Sequence, residues 1–376
     1  MNIKVFTAFS GYDSQCMALD RLHEHNPHFN YELVGWAEID KYAIQAHNAV
    51  YPQWADRNYG DISRIDWQQV PDFDLFTYSS PCQDFSQAGK QAGGTEGSGT
   101  RSSLLWECRR AILAKKPKYL LMENVAALVS QKFIRLFNAW QLELESYGYR
   151  NFAKVLNAKD YGVPQNRERI FMVSILDESA RYEFPQPMPL TLRLKDVLED
   201  KVDERYYIPA KTLKTVLKRV KSQRTLIDGM RDGTAAALTA KSHVTCCTNV
   251  VLEPIPIHTD KDGNALCISS RYSKESWEKI FIGKEHKPTA ILTPAKKGDT
   301  AVIEVDGNLY RIRKLTEREC FRLMDVPEAY IDRIQAAGIS RSQQYKMAGN
   351  SIVVSCMYHI WRRLWIDTHI TTLTLF

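Results

Sequence analysis

Short apolar runs alternate with longer segments of helical periodicity through the first half of this 376-residue chain. Such runs, bounded by turn residues and separated by amphipathic segments, predict buried strands joined by crossover helices. The pattern therefore predicts an α/β fold built on a doubly wound, mostly parallel sheet. The predicted strands are residues 3–9, 33–38, 74–80, 117–122 and 170–175, with one more strand ending at Asp61-Ile62.

The pattern changes beyond residue 184. The sequence Pro185-Gln-Pro-Met-Pro189 interrupts it, and residues 191–305 carry many turn signals and only short β-like runs. One such run precedes Asp306-Gly307, a dipeptide typical of two-residue hairpin turns. An apolar, helix-like run from about Asn350 to Trp365 is expected to return to the first domain. The predicted division is a discontinuous domain of residues 1–184 plus 340–376, and a smaller, loop-rich β domain of residues 185–339.

Reactive side chains gather at the ends of the predicted strands. Cys82 follows one strand and opens a glycine-rich loop, and Glu123 follows the next. Arg167 and Arg169 precede the last strand. Because ligands of open α/β sheets bind beyond the strand ends, these side chains are predicted to form one site at the ends of parallel strands. Each residue alone has an ordinary interpretation, namely a buried structural cysteine, a helix cap or a solvated charged face.

The order of these motifs resembles that of the cytosine-5 methyltransferases that use S-adenosylmethionine. The resemblance covers residues 4–175 and resumes over residues 311–365, and several stretches look like bacterial enzymes that modify CG sites. It implies a Rossmann-like methyltransferase sheet with a second, smaller loop-rich β domain. The shared motifs are Phe9-Ser-Gly11, Glu38-Ile39-Asp40, Gly60-Asp61-Ile62, Ser80-Pro81-Cys82-Gln83, Glu123-Asn124-Val125, Gln165-Asn-Arg167-Glu-Arg169, Arg318-Glu-Cys-Phe-Arg-Leu323 and Gly349-Asn350-Ser351.

Cytosine methylation requires residues of these types. C5 of cytosine is a poor nucleophile until a thiolate adds to C6, and we assign that covalent step to Cys82. Glu123 is predicted to bind N3 and the exocyclic amine, where it counters negative charge on the ring. That role favours a protonated carboxyl group, whose pKa would be raised by burial. By resemblance, Arg169 would orient the base and Arg167 would brace the catalytic loop.

The resemblance also implies an S-adenosylmethionine site along the first half of the sheet. Glu38 lies where a carboxylate would bind the ribose hydroxyls, and Asp61 with Ile62 matches the family's adenine contacts. The family usually has a second glycine where this chain has Asp13, a carboxylate that could serve the cofactor's positive groups or weaken its binding. The predicted cofactor contacts are Phe9, Ser10, Gly11, Tyr12, Glu38, Ile39, Asp61, Ile62, Pro81, Leu104, Asn350, Ser351 and Ile352.

DNA recognition is assigned to the loop after Cys82 and to the loop-rich segment. Residues 211–224 include six basic residues and no acidic one, which predicts either a phosphate-binding face or an ordinary solvated helix. Residues 236–240 and 290–294 both resemble the family's Thr-Leu-Thr-type element, and the sequence does not decide between them. The predicted DNA contacts are Gln83, Ser86, Arg101, Lys218, Arg219, Lys221, Thr239 and Thr293.

Composition narrows the remaining choices. With 44% hydrophobic residues, 25% charged residues and a net charge of +6, the chain suits a globular protein with a polyanionic partner. Its eight cysteines show no pairing with metal-ligand spacing, so no metal is predicted. No apolar run is long enough to span a bilayer and no signal peptide is evident, which predicts a cytoplasmic protein. A reducing compartment suits an active-site thiol.

We therefore predict a monomeric DNA cytosine-5 methyltransferase that acts on a flipped-out base in a specific sequence of double-stranded DNA. A functionally paired restriction endonuclease, without a stable complex, is expected. One alternative is a tRNA cytosine-5 methyltransferase, a branch that usually carries a Cys-Phe-Thr tripeptide absent from this chain. The other is a catalytically silent DNA-binding homologue. Intact Cys82, Glu123 and Arg169 argue against the silent homologue, whereas Asp13 keeps it open.

Overall fold

The computed structural model of the protein describes residues 1–81, 101–209, 235–236, 250–254, 278–279, 290–293, 302–305 and 308–367. Side chains are described at residues 1–81, 104–209, 311 and 313–367. Within these ranges the chain forms a six-stranded sheet, a five-stranded sheet and a two-stranded pairing.

The six-stranded sheet carries the predicted reactive residues. Its strands are β1 (Asn2–Ala8), β2 (Asn30–Ala37), β3 (Leu75–Tyr78), β4 (Tyr119–Val125), β5 (Arg150–Asn157) and β7 (Glu168–Ile175), and the two-residue strand β6 (Gln165–Asn166) precedes β7. They lie in the order β2-β1-β3-β4-β7-β5, and all pairings among β1 to β4 are parallel. The prediction of an α/β fold with a mostly parallel sheet is confirmed.

Two features of this sheet differ from the prediction. Strand β7 was expected to be parallel, but it runs antiparallel to both β4 and β5. Strand β5 was not predicted at all, because its exposed and half-buried side chains include Arg150, Asn151 and Lys154 and give no continuous apolar run. Since β5 returns directly as β7 without a crossover helix, the pair can only be antiparallel.

The predicted strand ending at Asp61-Ile62 is also wrong. Gly60 has a left-handed backbone (φ 73°), and the Asp61 carboxylate accepts hydrogen bonds from the backbone N–H (3.0 Å) and hydroxyl (2.8 Å) of Ser63. These contacts begin a short 3-10 helix at Ile62–Arg64. Residues 51–61 pair with the sheet at a single isolated bridge, from Asn58 to Trp36 of β2, so the chain leaves the sheet before Asp61.

Helices cover both faces of the sheet. They are α1 (Ser14–His25), α2 (Lys41–Val50), α3 (Cys108–Lys115), α4 (Ile134–Ser146), α5 (Glu317–Arg322), α6 (Glu328–Ala336), α7 (Arg341–Asn350) and α8 (Val354–Arg362). On one face α1 packs against α8, where His25 and Tyr358 share a hydrogen bond of 2.9 Å. On the other face α3 and α4 bury Ile112 and Trp140. Helix α8 begins at Val354 rather than Asn350, because α7 ends at Asn350 and Ser351 is extended.

The five-stranded sheet is entirely antiparallel. Its strands are β9 (Val250–Pro254), β10 (Glu278–Lys279), β11 (Ala290–Thr293), β12 (Val302–Val305) and β13 (Asn308–Lys314), in the order β10-β11-β12-β13-β9. Val305 pairs with Asn308, as expected for a two-residue hairpin at Asp306-Gly307. Strand β8 (Ala235–Ala236) is separate and pairs in parallel with β6. The predicted division of the chain into two domains stays a prediction.

A search of the described residues finds no helix with both the length and the apolar character needed to cross a membrane.

Candidate active site

The centre of the candidate site is an ion pair between Glu123 and Arg169. Because β7 is antiparallel to β4, Val125 at the end of β4 lies opposite Arg169 at the start of β7. This register brings Arg169 Nε to 3.2 Å from Glu123 Oε1. In a parallel pairing, the start of β7 would lie at the opposite edge of the sheet. The antiparallel strand is therefore what unites these two residues.

Burial shifts the pKa of the Glu123 carboxyl group upwards. The residue is only 7% exposed, and this desolvation raises the pKa of its carboxyl group, while the positive charges of Arg169 and Arg167 oppose that shift. A carboxyl group with a raised pKa can keep its proton and donate it in a hydrogen bond. One oxygen can then accept while the other donates, which is the pattern needed to bind both an amine and a ring nitrogen.

Arg167 links the catalytic strands to the C-terminal part of the chain. Its side chain is 2% exposed, and Nη2 donates to the carbonyl oxygens of Gly349 (3.0 Å) and Ser351 (2.6 Å). Its backbone N–H donates to Asn157 Oδ1 at 3.0 Å. These contacts fix the end of α7 against β7. The role of Arg167 in bracing the catalytic loop stays a prediction.

Asn124 orients the chain that leads to the predicted nucleophile. Its side-chain N–H groups donate to the carbonyl oxygen (3.2 Å) and hydroxyl (3.3 Å) of Ser80, while its Oδ1 accepts from the N–H of Val125 at 2.9 Å. Ser80 is followed by half-buried Pro81. Sequence reasoning quoted Asn124 within a motif but gave it no role, although an amide directly after the Glu of that motif was the available signal.

The predicted cofactor loop has an unusual backbone. Phe9, Gly11 and Asp13 all have left-handed φ values, of 56°, 62° and 65°. A Cβ atom added to Gly11 would meet nothing within 4 Å, so the loop presents an open surface at this position. Buried Ser10 holds the loop to β2 through its N–H, which donates to the carbonyl of Ala37 at 3.3 Å. The chain therefore provides room for a ligand beside half-buried Gly11.

Glu38 is held beside this loop by backbone groups. Its carboxylate accepts hydrogen bonds from the N–H groups of Gly11 (3.0 Å), Ile39 (2.8 Å) and Asp40 (2.8 Å). Asn58, which sequence reasoning missed, exchanges hydrogen bonds of 3.2 Å with the Glu38 backbone. Ile39 is 70% exposed and places an apolar side chain next to the carboxylate. A carboxylate, an open glycine and an exposed apolar side chain suit a ribose and its attached base.

The other predicted cofactor residues lie in the core, beside the start of α1 or at scattered positions nearby. Tyr12 turns its ring into the core against Phe321, at 5.6 Å and 79°, and burial raises the pKa of its hydroxyl. Ser351 donates to Ser14 Oγ at 3.1 Å, which places the C-terminal motif beside the start of α1. The remaining positions are exposed Asn350, buried Ile352 and Ile62, half-buried Leu104 on the 3-10 helix Arg101–Glu107, and Asp61 at a helix start.

For several predicted site residues the structure describes no side chain. Cys82, Gln83, Ser86, Lys218, Arg219, Lys221 and Thr239 lie outside the described residues, and for Arg101 and Thr293 only the backbone is described. The described part of the chain contains no group of three or more His, Cys, Asp or Glu side chains placed to hold a metal ion.

The structure is therefore an α/β protein that carries two features at one edge of its sheet. One is the contact between Glu123 and Arg169, and the other is the loop of residues 9–13 with room for a ligand. The profile of the C-5 cytosine-specific DNA methylase family matches residues 3–365, and the chain belongs to that family. The predictions of this family and of a DNA cytosine-5 methyltransferase are confirmed.

Individual relatives agree with this assignment. The chain is 32% identical to "Type II methyltransferase M2.ScrFI" of Lactococcus lactis subsp. cremoris, covering 96% of this chain and 99% of the relative. It is 28% identical to "Orphan methyltransferase M.SPRI" of Bacillus phage SPR, covering 98% of both. The S. pombe Dnmt2 methyltransferase structure has a TM-score of 0.65 at 16% identity and covers 100% of both chains. At that identity the structural similarity shows the fold alone.

Proposed function

We propose that this protein transfers a methyl group from S-adenosylmethionine to C5 of a flipped-out cytosine in a specific sequence of double-stranded DNA, through a covalent adduct with Cys82. The observation that carries the proposal is the buried Glu123–Arg169 pair, which lies one strand away from Ser80-Pro81 and the predicted nucleophile. A base inside a duplex cannot present C6 to a protein thiolate, so the target nucleotide must leave the stack.

The reaction divides into addition, transfer and elimination. The Cys82 thiolate forms a bond to C6, and the π electrons of the ring move towards C5 as negative charge spreads over N3 and O2. Protonated Glu123 donates a hydrogen bond to N3 and accepts one from the exocyclic amine, which stabilises that charge. C5 then attacks the methyl carbon and the sulfonium–methyl bond breaks. Loss of the C5 proton to a base restores the C5–C6 double bond and expels the Cys82 thiolate.

The first half of the sheet fits the methyl donor. Glu38, held by three backbone N–H groups, would accept hydrogen bonds from the ribose hydroxyls, and exposed Ile39 would cover the adenine. When bound, S-adenosylmethionine supplies an electrophilic methyl group on a positively charged sulfur. The open surface at Gly11 leaves space for the donor beside the loop.

Strand β8 supports residues 236–240 as the base-reading element. Ala235–Ala236 pairs with Gln165–Asn166, immediately before Arg167. Thr239 is three residues beyond Ala236, a span of about 10 Å at most for an extended chain. The alternative, Ala290–Thr293, instead lies between two other strands of the small sheet. Of the two candidates, Thr239 and Thr293, we therefore propose that Thr239 contacts the DNA.

DNA from a host that expresses the protein tests the reaction. Bisulfite sequencing should show methylated cytosine at one recurring sequence, and a duplex with 5-fluorocytosine at that site should trap the enzyme covalently because the fluorine does not leave as a proton would. Cys82→Ser should abolish both signals. A matched control is Cys320→Ala, since Cys320 is buried and its burial raises the pKa of its thiol. Trapping that persists in Cys82→Ser would refute the assignment, and methylation of tRNA instead of DNA would favour the alternative substrate.

The biological setting is part of the proposal. Both relatives described above are methyltransferases by name, one of type II and one an orphan from a phage. We propose that the protein acts as a monomer in the cytoplasm of a bacterial or phage-infected cell, as the methylating partner of a restriction endonuclease. Survival of the expressing host when the cognate endonuclease is introduced would support that pairing.

A further inference from the structure

Asp13 occupies the most demanding backbone position of the cofactor loop. Its φ of 65° and ψ of 56° are left-handed, a conformation that favours glycine, and the resembling family usually has glycine here. Aspartate tolerates this region better than most residues, but a helix-capping residue normally has extended geometry. Something beyond local preference must therefore hold Asp13 in place.

The Asp13 side chain supplies two anchors below the loop. It is completely buried, and its Oδ2 accepts from the Thr7 hydroxyl at 2.9 Å while Oδ1 accepts from the N–H of Cys16 at 3.3 Å. Thr7 is on β1 and Cys16 is in the first turn of α1. The carboxylate therefore joins the strand before the loop to the helix after it. It does not point towards the open surface at Gly11.

His47 of α2 provides a third contact from the opposite side. Its Nε2 lies 3.5 Å from Asp13 Oδ2, within ion-pair range although longer than a normal hydrogen bond. The His47 ring is completely buried and stacks on Trp36, with ring centroids 3.7 Å apart and an interplanar angle of 19°. Neither ring nitrogen has a hydrogen-bond partner within the described part of the chain. A buried imidazole requires a polar partner, and the Asp13 carboxylate, which also accepts from Thr7 and Cys16, is the polar group that faces His47 Nε2.

We propose that Asp13 and His47 form a positioning pair that locks the cofactor loop in a left-handed conformation, at the position where the family usually has glycine. This inference rests on the proposed function, since the loop would bind S-adenosylmethionine. Locking matters for affinity because the Gly11 N–H, two residues before Asp13, donates to Glu38. A loop that relaxes withdraws that donor from the carboxylate predicted to hold the ribose. The pair should therefore affect binding of the methyl donor and leave the chemistry at Glu123 unchanged.

Binding of S-adenosylmethionine without DNA, measured by calorimetry, tests the pair directly. Asp13→Ala still needs the left-handed backbone conformation but loses every side-chain contact of Asp13, so it should raise the dissociation constant by about tenfold or more. Asp13→Gly also loses these contacts, but glycine adopts the left-handed conformation easily, so the dissociation constant should rise by a smaller factor. Asp13→Asn keeps an acceptor oxygen for the Cys16 N–H and gains an amide N–H that can donate to the Thr7 hydroxyl, so it should largely rescue binding. For Asp13→Gly and Asp13→Asn, the methylation rate at saturating S-adenosylmethionine should stay within about twofold of wild type.

A double-variant comparison isolates His47. The change His47→Phe keeps a ring on Trp36 but removes the nitrogen that faces Asp13. It should weaken binding in the wild-type background and have no further effect when Asp13→Gly is also present. An equal loss in both backgrounds would overturn the pairing, and so would wild-type affinity in Asp13→Gly.

Two controls keep the outcomes separate. Thr316→Ala removes a buried helix cap on α5, so it should lower the melting temperature without changing the dissociation constant. If Asp13→Ala does not fold, the losses expected for Asp13→Gly and His47→Phe carry the test. Wild-type protein that fails to bind S-adenosylmethionine would refute the proposed function, whereas binding that is insensitive to Asp13 and His47 would refute only this inference.

Discussion

Glu38 and Glu123 have the same side chain at the same edge of one sheet, yet their surroundings differ. Glu38 follows β2, is half-buried and accepts three hydrogen bonds from backbone N–H groups. Glu123 lies in β4, is almost fully buried and faces Arg169 across an antiparallel pairing. A carboxylate surrounded by fixed donors is arranged as an acceptor, whereas a desolvated one can hold a proton. Position on the sheet brings both to the site, and the local environment separates their roles.

Among the variants that test this comparison, Glu123→Gln has the largest expected effect. Glutamine keeps an N–H donor but not the acidic proton of a carboxyl group, and this weaker donor at N3 should reduce the maximum methylation rate by about 100- to 1,000-fold, as for other groups that stabilise developing charge. Cofactor and DNA affinity should change by less than about threefold, because the interaction forms mainly in the transition state. Single-turnover assays and equilibrium binding measure the two quantities. A loss of DNA affinity as large as the loss of rate would make Glu123 a docking residue and remove the contrast with Glu38.

Arg169→Lys tests whether the guanidinium group orients Glu123. Lysine keeps the charge but cannot reproduce the geometry of Nε at 3.2 Å from Glu123 Oε1. We expect the maximum rate to fall by about 10- to 100-fold, in line with loss of one charge-assisted hydrogen bond. Binding of S-adenosylmethionine should not change. An unchanged rate would show that positive charge alone is sufficient.

Glu38→Gln is the converse experiment. An amide keeps one acceptor oxygen for the neighbouring N–H groups but loses the charge offered to the ribose hydroxyls. The dissociation constant for S-adenosylmethionine should rise by about tenfold, while the rate at saturating donor should remain close to that of wild type. Isothermal titration and steady-state kinetics measure these. If the rate falls while affinity persists, the two glutamates are not separated by role.

The smallest effect concerns stability and pH. Burial raises the pKa of Glu123 above its ordinary value of 4.5. The folded protein therefore binds a proton more tightly than the unfolded chain does, and stability relative to Glu123→Gln is lost as pH rises through the folded pKa. Melting temperatures of the two proteins should move in favour of Glu123→Gln as the pH rises from 4.5 through the raised pKa of the folded protein, by about a few degrees. A difference that does not change with pH would contradict the raised pKa.

Sequence reasoning succeeded where the signal is local and failed where it depends on pairing. The buried strands β1 to β4 are apolar runs, and Cys82 comes after β3 while Glu123 lies near the end of β4, so the pattern was enough to predict the parallel part of the sheet. Strand β5 was not predicted because this edge strand has three consecutive exposed residues, 153–155, and therefore gives neither an apolar run nor a regular alternation. The structural roles of Asn58 and Asn124 were not predicted, because the sequence around an isolated asparagine does not indicate which backbone group its side chain will bind.

What the sequence determined by itself is the chemistry and its order: a thiol, a carboxyl group, two arginines and a glycine-containing loop, each at a strand end. Those features follow from residue type and short-range periodicity, which the chain carries in one dimension. The tertiary structure alone decided that β7 runs antiparallel, so that Arg169 meets Glu123, and that Asp13 turns inward to His47. Strand direction depends on the free energy of the whole sheet, and the burial that sets protonation depends on neighbours that are distant in sequence.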